Sequence, residues 1–299
     1  MEKINKLKKK IKEHNLDGYL IPKNDEFFSE YVPLQRDYLQ YISNFSGSYG
    51  LALILKKNNF LFVDGRYTVQ ANIQCGKDFK VLPLPIGKNI KILKLKNKKI
   101  GFDPKLFNEN FVRQFSKKLG IECIAINNNL IELIRENKTK AGKNKSFYIL
   151  EKSITGESCL NKIRNLKKYL FKNDIDIMLI TSTENIAWLL NIRGHDSEYS
   201  PIPNCFLIID KQMKVFLFCD LKKINNKFKK KLSFIYFLEI RELENFLQRI
   251  NGKNFLIDDL TCAIFYKNII RINNFILKNT DPIYFLKSQK NKIEINNTK

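Results

Sequence analysis

The side chains able to do chemistry are few and scattered along the chain. Two histidines occur: His14, at the end of a Lys-rich opening, and His195, in the polar stretch IRGHDSEY. His195 has Asp196 and Glu198 beside it, the residue types of a metal ligand or a general base, but no second histidine is near it in sequence to complete a metal set. His14 suits a helix C-terminus, where a cation is favourable. The six cysteines, at 75, 123, 159, 205, 219 and 262, form no CxxC pair, and Cys219 lies within the apolar run VFLFC. They read as buried free thiols of a reducing compartment rather than as ligands or nucleophiles. The HExxH, GxSxG, GxxxxGK[ST] and GxGxxG signatures do not occur.

Three loops hold the remaining candidates. SNFSGSYG (43–50) and NIRGHDSEYSPIP (191–203) are rich in small and polar residues, and each leads into an apolar strand. Their glycines, Gly47 and Gly194, read as helix C-terminal residues. The third is 64–67, where Asp64 sits at a helix start, a favourable place for a carboxylate, and Arg66 at an unfavourable place for a cation. That placement hints at a carboxylate partner for Arg66.

The elements that carry these loops occur twice. A helix with Ile4, Leu7 and Ile11 on one stripe leads to NLDGYLIP, an aromatic helix near 36–43, and the apolar runs LALIL and FLFVD. A Lys/Arg-rich helix at 157–172 leads to NDIDIMLIT, NIAWLLNIRG, FLIID and KVFLFCD in the same order. KKIGFDP at 98–104 then matches KNFLIDD at 253–259. Repetition at a spacing of about 155 residues predicts two domains of one architecture. Each is expected to be a mixed β-sheet flanked by helices, an α/β fold. Residues 22–37, which have no counterpart in the second half, read as an inserted surface loop, 88–97 as a weak helix, and 137–146 as a linker. Trp188, among Ile186, Ala187, Leu189 and Leu190, is expected in the core.

The formal charge is +23, from 53 Lys+Arg against 30 Asp+Glu. The lysines are spread over helix faces and turns, and no zinc-ligand spacing or aromatic RNA-binding signature accompanies them. Nucleic acid is therefore not expected as a partner. No apolar run approaches the ~20 residues needed to cross a bilayer, and the basic start lacks the apolar core of a signal peptide, so a cytoplasmic location without membrane contact is expected.

DGYLIPKNDEFFSEYVP, YISNFSGSYGLALIL and FVDGRYTVQA closely resemble the first domain of Xaa-Pro aminopeptidases of the creatinase and prolidase family. IAWLLNIRGHDSEYSPIPNCFLII resembles that family's second domain, and DPIYFLKSQKNKIEINNTK the join into its third. The resemblance implies two ribonuclease-H-like domains, at 1–138 and 147–284, a linker at 139–146, and at 285–299 the start of a join to a catalytic pita-bread domain that is not in this chain. That domain would hold two manganese ions, so the resemblance implies no cofactor, metal ligand or catalytic residue here. Asp64, Arg66 and Tyr67, with Arg193, His195, Asp196 and Tyr199, match the family's motifs and are candidates for a substrate entrance or an interface. The implied partners are a second copy of the chain or a catalytic domain in cis or in trans, and peptides with proline second for the full-length family. Two other readings stand beside this one: a free-standing peptide- or protein-binding module of the same fold, and a basic nucleic-acid-binding protein.

Overall fold

The computed structural model describes residues 2–85, 93, 95–136 and 145–299. They fall into two compact units, Met1–Ala141 and Gly142–Lys299. The expected linker lies for the most part outside the described residues, as does most of the expected helix at 88–97.

In the first unit, α1 (Glu2–Glu13) is followed by β1 (Gly18–Pro22), α2 (Tyr38–Ser43), β2 (Gly50–Leu55), β3 (Asn59–Asp64), α3 (Thr68–Cys75), β4 (Lys80–Leu84), β5 (Lys99–Phe102), α4 (Glu109–Leu119) and β6 (Glu122–Ala125). The sheet order is β4-β3-β2-β1-β5-β6. The β1–β2 and β2–β3 pairs are antiparallel, and the outer pairs are parallel. β1 and β2 are buried along their whole length, so both faces are covered. Tyr19, Ile21, Ala52 and Ile54 pack with Ile4, Leu7 and Ile11 of α1 and Ala71 and Cys75 of α3. The opposite parity of the same strands, with Leu20 and Leu53, belongs to the other face. α4 starts at Glu109 because the Asn108 side chain caps it by accepting from the Phe111 N–H at 2.8 Å.

Residues 22–37 are not the exposed loop expected. Asp25 is fully buried, and its Oδ1 accepts from the N–H groups of Phe27 (3.0 Å) and Ser29 (3.1 Å). Phe27 is buried, and the Lys23 ammonium pairs with Asp37 in a site closed to water. Pairing and local hydrogen bonds offset the cost of burying these charges, which polarity alone does not reveal.

The second unit opens with β7 (Tyr148–Ile149), α5 (Lys152–Thr155), α6 (Cys159–Lys172), β8 (Ile177–Ile180), α7 (Thr183–Leu190) and β9 (Ile192–Arg193). β10 (Cys205–Asp210), β11 (Val215–Cys219), α8 (Asn226–Lys231), β12 (Ile235–Glu239), α9 (Leu243–Gln248) and β13 (Asn254–Ile257) follow, then α10 (Ile264–Asn273), β14 (Phe275–Lys278), α11 (Pro282–Ser288) and α12 (Lys292–Thr298). Its sheet order, β12-β11-β10-β8-β13-β14, repeats that of the first unit strand for strand and direction for direction. Leu20 pairs with Leu53 of β2, and Leu179 with Ile208 at the same place in β10. A single constant offset carries Ile4, Leu7, Ile11 and Leu20 onto the buried Ile163, Leu166, Leu170 and Leu179. The two halves are copies of one α/β fold.

The last residues fold onto the second unit. Buried Asp281 accepts from the Asn185 side chain at 2.7 Å, and Asn291 and Asn297 donate to the carbonyls of Thr155 and Ile154. The indole N–H of Trp188 donates to Glu294 at 3.2 Å, and the Lys162 ammonium lies 3.9 Å from the ring centroid. Trp188 is therefore only half-buried, against the core rather than in it.

Candidate loops and their supports

In the first unit, Asp64 ends β3 and caps the short 3₁₀ turn Gly65–Tyr67. Its Oδ1 accepts from the Arg66 backbone N–H at 3.0 Å and from Arg66 Nε at 2.9 Å. The carboxylate partner hinted at for Arg66 is thus two residues away. The hydrogen bond from the Arg66 side chain holds the Asp64 carboxyl below its ordinary pKa. Arg66 is largely exposed, so the pair stiffens the turn more than it stabilises the fold. Tyr67 reaches the other loop: its hydroxyl lies 2.8 Å from the Ser48 hydroxyl, and its ring meets Phe45 edge-on at 5.8 Å. Beside Asp64 a groove of about 310 Å³ has Tyr49, Leu84, Pro85, Phe111 and Phe115 among its lining residues.

In the second unit, α7 ends at Asn191 in the left-handed conformation, and β9 follows at once. β9 pairs with β7, setting Tyr148 opposite Arg193. Arg193 turns back on the preceding α7 and donates to the carbonyls of Ala187 (3.0 Å) and of its neighbour Ile192 (2.8 Å). Burial pushes its pKa down, opposed by the neighbouring Tyr148. The loop beyond it closes on itself through Gly194 N–H to Pro201 (3.2 Å) and Asp196 N–H to Ile202 (3.3 Å). Asp196 accepts from the Asn204 N–H at 2.7 Å and pairs with the Lys223 ammonium. His195 is exposed, with its ring 5.5 Å from that of Tyr148 and no hydrogen bond from its imidazole to a described residue. Tyr199 projects from the same loop, 69% exposed.

These arrangements do not fit a two-metal centre. Asp196, the nearest acid to His195 in sequence, is already engaged by Lys223 and Asn204, and among the described residues no group of three or more His, Cys, Asp or Glu could hold a metal ion. The described geometry suits rigid presentation of exposed polar and aromatic groups.

Sequence reasoning missed Ser48, Tyr148 and Lys223. The duplication carried a signal for the last. Asp220 follows β11 directly and caps a 3₁₀ turn as Asp64 does, and Lys223 stands three residues on, as Tyr67 does. Each ties its turn to the loop that precedes the hairpin of its own unit. Tyr148 lay in the short apolar run FYIL, which went unassigned.

Both units match the Creatinase/Prolidase N-terminal domain, one family model over residues 3–136 and a second over 137–294. Xaa-Pro aminopeptidase 1 of Dictyostelium discoideum is 29% identical over 100% of this chain and 50% of its own length. The probable Xaa-Pro aminopeptidase P of Laccaria bicolor is 28% identical over 98% of this chain and 48% of its own. The chain thus spans about half the length of these curated relatives. The X-prolyl aminopeptidase of Caenorhabditis elegans, described as a cytosolic enzyme with a di-nuclear active site, superposes with a TM-score of 0.88 at 22% identity, over 99% of this chain and 52% of that one. With the same sheet order in both units and a family match across each, the chain belongs to the creatinase/prolidase N-terminal domain family.

Proposed function

We propose that this chain forms the two N-terminal units of an Xaa-Pro aminopeptidase, a metallopeptidase that removes the residue ahead of proline, and that it has no catalytic residues of its own. In this reading the units wall the active-site entrance and join two copies, while hydrolysis and two manganese ions belong to the half of the relatives that this chain does not match. The observation that carries the reading is the pair of family matches spanning 3–136 and 137–294, together with full-length likeness to half of an Xaa-Pro aminopeptidase. Asp64, Arg66, Tyr67, Arg193, His195, Asp196 and Tyr199 then belong to contact surfaces, which suits a turn and a loop stiffened by their own hydrogen bonds. A cytoplasmic setting accords with six unpaired cysteines and with the cytosolic description of the Caenorhabditis enzyme. No helix among the described residues is long and apolar enough to cross a membrane.

Hydrogen exchange tests the assignment of the loops. The chain is measured alone and then with the C-terminal half of the Dictyostelium relative supplied in trans. Slower exchange in 43–50 or 191–203 within the complex is expected. Unchanged exchange in both loops, in a complex demonstrated by light scattering, would remove them from the contact surface.

A further inference from the structure

Asn59 begins β3 and Asp64 ends it, so the far end of the first sheet lies roughly 16 Å from the candidate turn. There the β2–β3 turn, the start of β4 and one face of α1 form a cleft of about 440 Å³. Lys8, Lys57, Lys77 and Lys80 line it, against a single acidic side chain, Asp78. Of the lysines near these in sequence, Lys6 pairs with Glu2 at 2.8 Å, Lys10 with Glu13 at 2.8 Å and Lys56 with Asp17 at 2.9 Å. Lys57, Lys77 and Lys80 are exposed along the cleft, and Asp78 is the one described carboxylate among its lining residues. The wall is fixed, because Asn59 Nδ2 donates to the Asp78 carbonyl at 2.8 Å and Ile4 and Phe60 are buried. Burial lowers the pKa of Lys8, opposed by the neighbouring Asp78 carboxylate.

We propose that this cleft binds a small, multiply charged phosphate anion. Several ammonium groups along one cleft gain most from a ligand that carries several negative oxygens at once, since each contact is charge-assisted. The ligand is small because the cleft is confined to ten residues, and its one aromatic lining residue, Phe60, is only 6% exposed. Single-stranded nucleic acid would call for exposed rings on which bases stack. The shared chemistry is a row of phosphates, either as an inorganic oligophosphate or as the tail of a nucleotide.

Calorimetric titration of the 299-residue chain with sodium tripolyphosphate tests the site, with ATP titrated in parallel. Saturable 1:1 binding is expected, weakened in Lys57→Gln/Lys80→Gln by about tenfold or more, since a hydrogen bond to a charged group is worth ~1.5–3 kcal/mol. The control, Lys229→Gln/Lys230→Gln, removes two exposed charges from α8 and should bind as the parent does. Lys77→Gln is the second variant should the double one melt early. Equal affinity for ATP and tripolyphosphate assigns recognition to the phosphates alone, and tighter ATP binding adds the nucleoside; both support the site. Equal weakening in the α8 control, absence of saturable binding, or binding of an oligonucleotide but not of tripolyphosphate would overturn it.

Discussion

Lys162 is a buried cation whose hydrogen-bond acceptors are neutral. Its ammonium donates to the Trp188 carbonyl and to Asn191 Oδ1, at the C-terminus of α7, where a positive charge is favourable. Desolvation nevertheless wins and lowers its pKa from 10.5 to about 8. Between those values the unfolded chain keeps a proton that the folded chain has released, so this group adds stability as pH rises from about 8 toward 10.5. Lys162→Met should therefore flatten the rise in unfolding free energy between about pH 7.5 and about pH 10 relative to the parent, read from urea melts. An identical slope in both proteins would show that Lys162 titrates normally. Asp196 is the second test at this scale. Its ion pair with Lys223 is nearly enclosed, with side chains 10% and 14% exposed. Asp196→Ala should cost about 2–4 kcal/mol by leaving the ammonium unpaired, whereas exposed His195→Ala should cost under ~1 kcal/mol. Equal costs in urea melts would mean that Asp196 does not hold the loop. Asp196 and His195 were legible as candidates from residue type. Their division into an anchor and an exposed group was not, because Lys223 is distant in sequence and meets Asp196 only in the folded unit.

The helix ends before both candidate loops are set by asparagine. Asn44 and Asn191 stop α2 and α7 with φ of 62° and 54°, whereas the sequence reading put that role on Gly47 and Gly194. Neither glycine has a positive φ, and both serve close packing instead. A Cβ on Gly194 would come within 2.7 Å of Pro203 Cα, and one on Gly47 within 2.3 Å of the Phe45 ring. The confusion has a physical origin, since Asn and Gly both tolerate the left-handed region and each loop offers both a few residues apart. Asn44 is exposed, so replacing it isolates the backbone effect. Asn44→Gly should leave stability within ~0.5 kcal/mol, and Asn44→Val should cost ~1–2 kcal/mol. Equal stability of the two variants by thermal melting would remove the left-handed cap as the terminator. Gly194→Ala should be destabilising by about 1–3 kcal/mol, because its neighbours are backbone atoms that cannot rotate away. The long apolar hairpins and the amphipathic α1 and α6 were plain from period and length. β7 and β9, two residues each, are too short to show any period, yet they bring Tyr148 against the His195 loop.

Across the whole molecule, the duplication was readable because a buried stripe on the first helix, a strand and an apolar hairpin recur in one order. The sheets agree in strand order, direction and register, and even the capping aspartates, Asp64 and Asp220, occupy matching places. The partners of the two loops were not legible in this way, because exposed polar groups take their meaning from a surface outside the chain. The central claim is that these units support an Xaa-Pro aminopeptidase without cleaving peptide themselves. Its most direct test is release of the first residue from an Xaa-Pro-Xaa peptide by the purified 299-residue chain with manganese added. A two-metal mechanism needs several carboxylates and a histidine converging on bridging water, and the described residues offer no such cluster. The account predicts release no faster than in buffer with manganese alone. Manganese-dependent turnover that disappears in His195→Ala would contradict it and place an active site in the second unit.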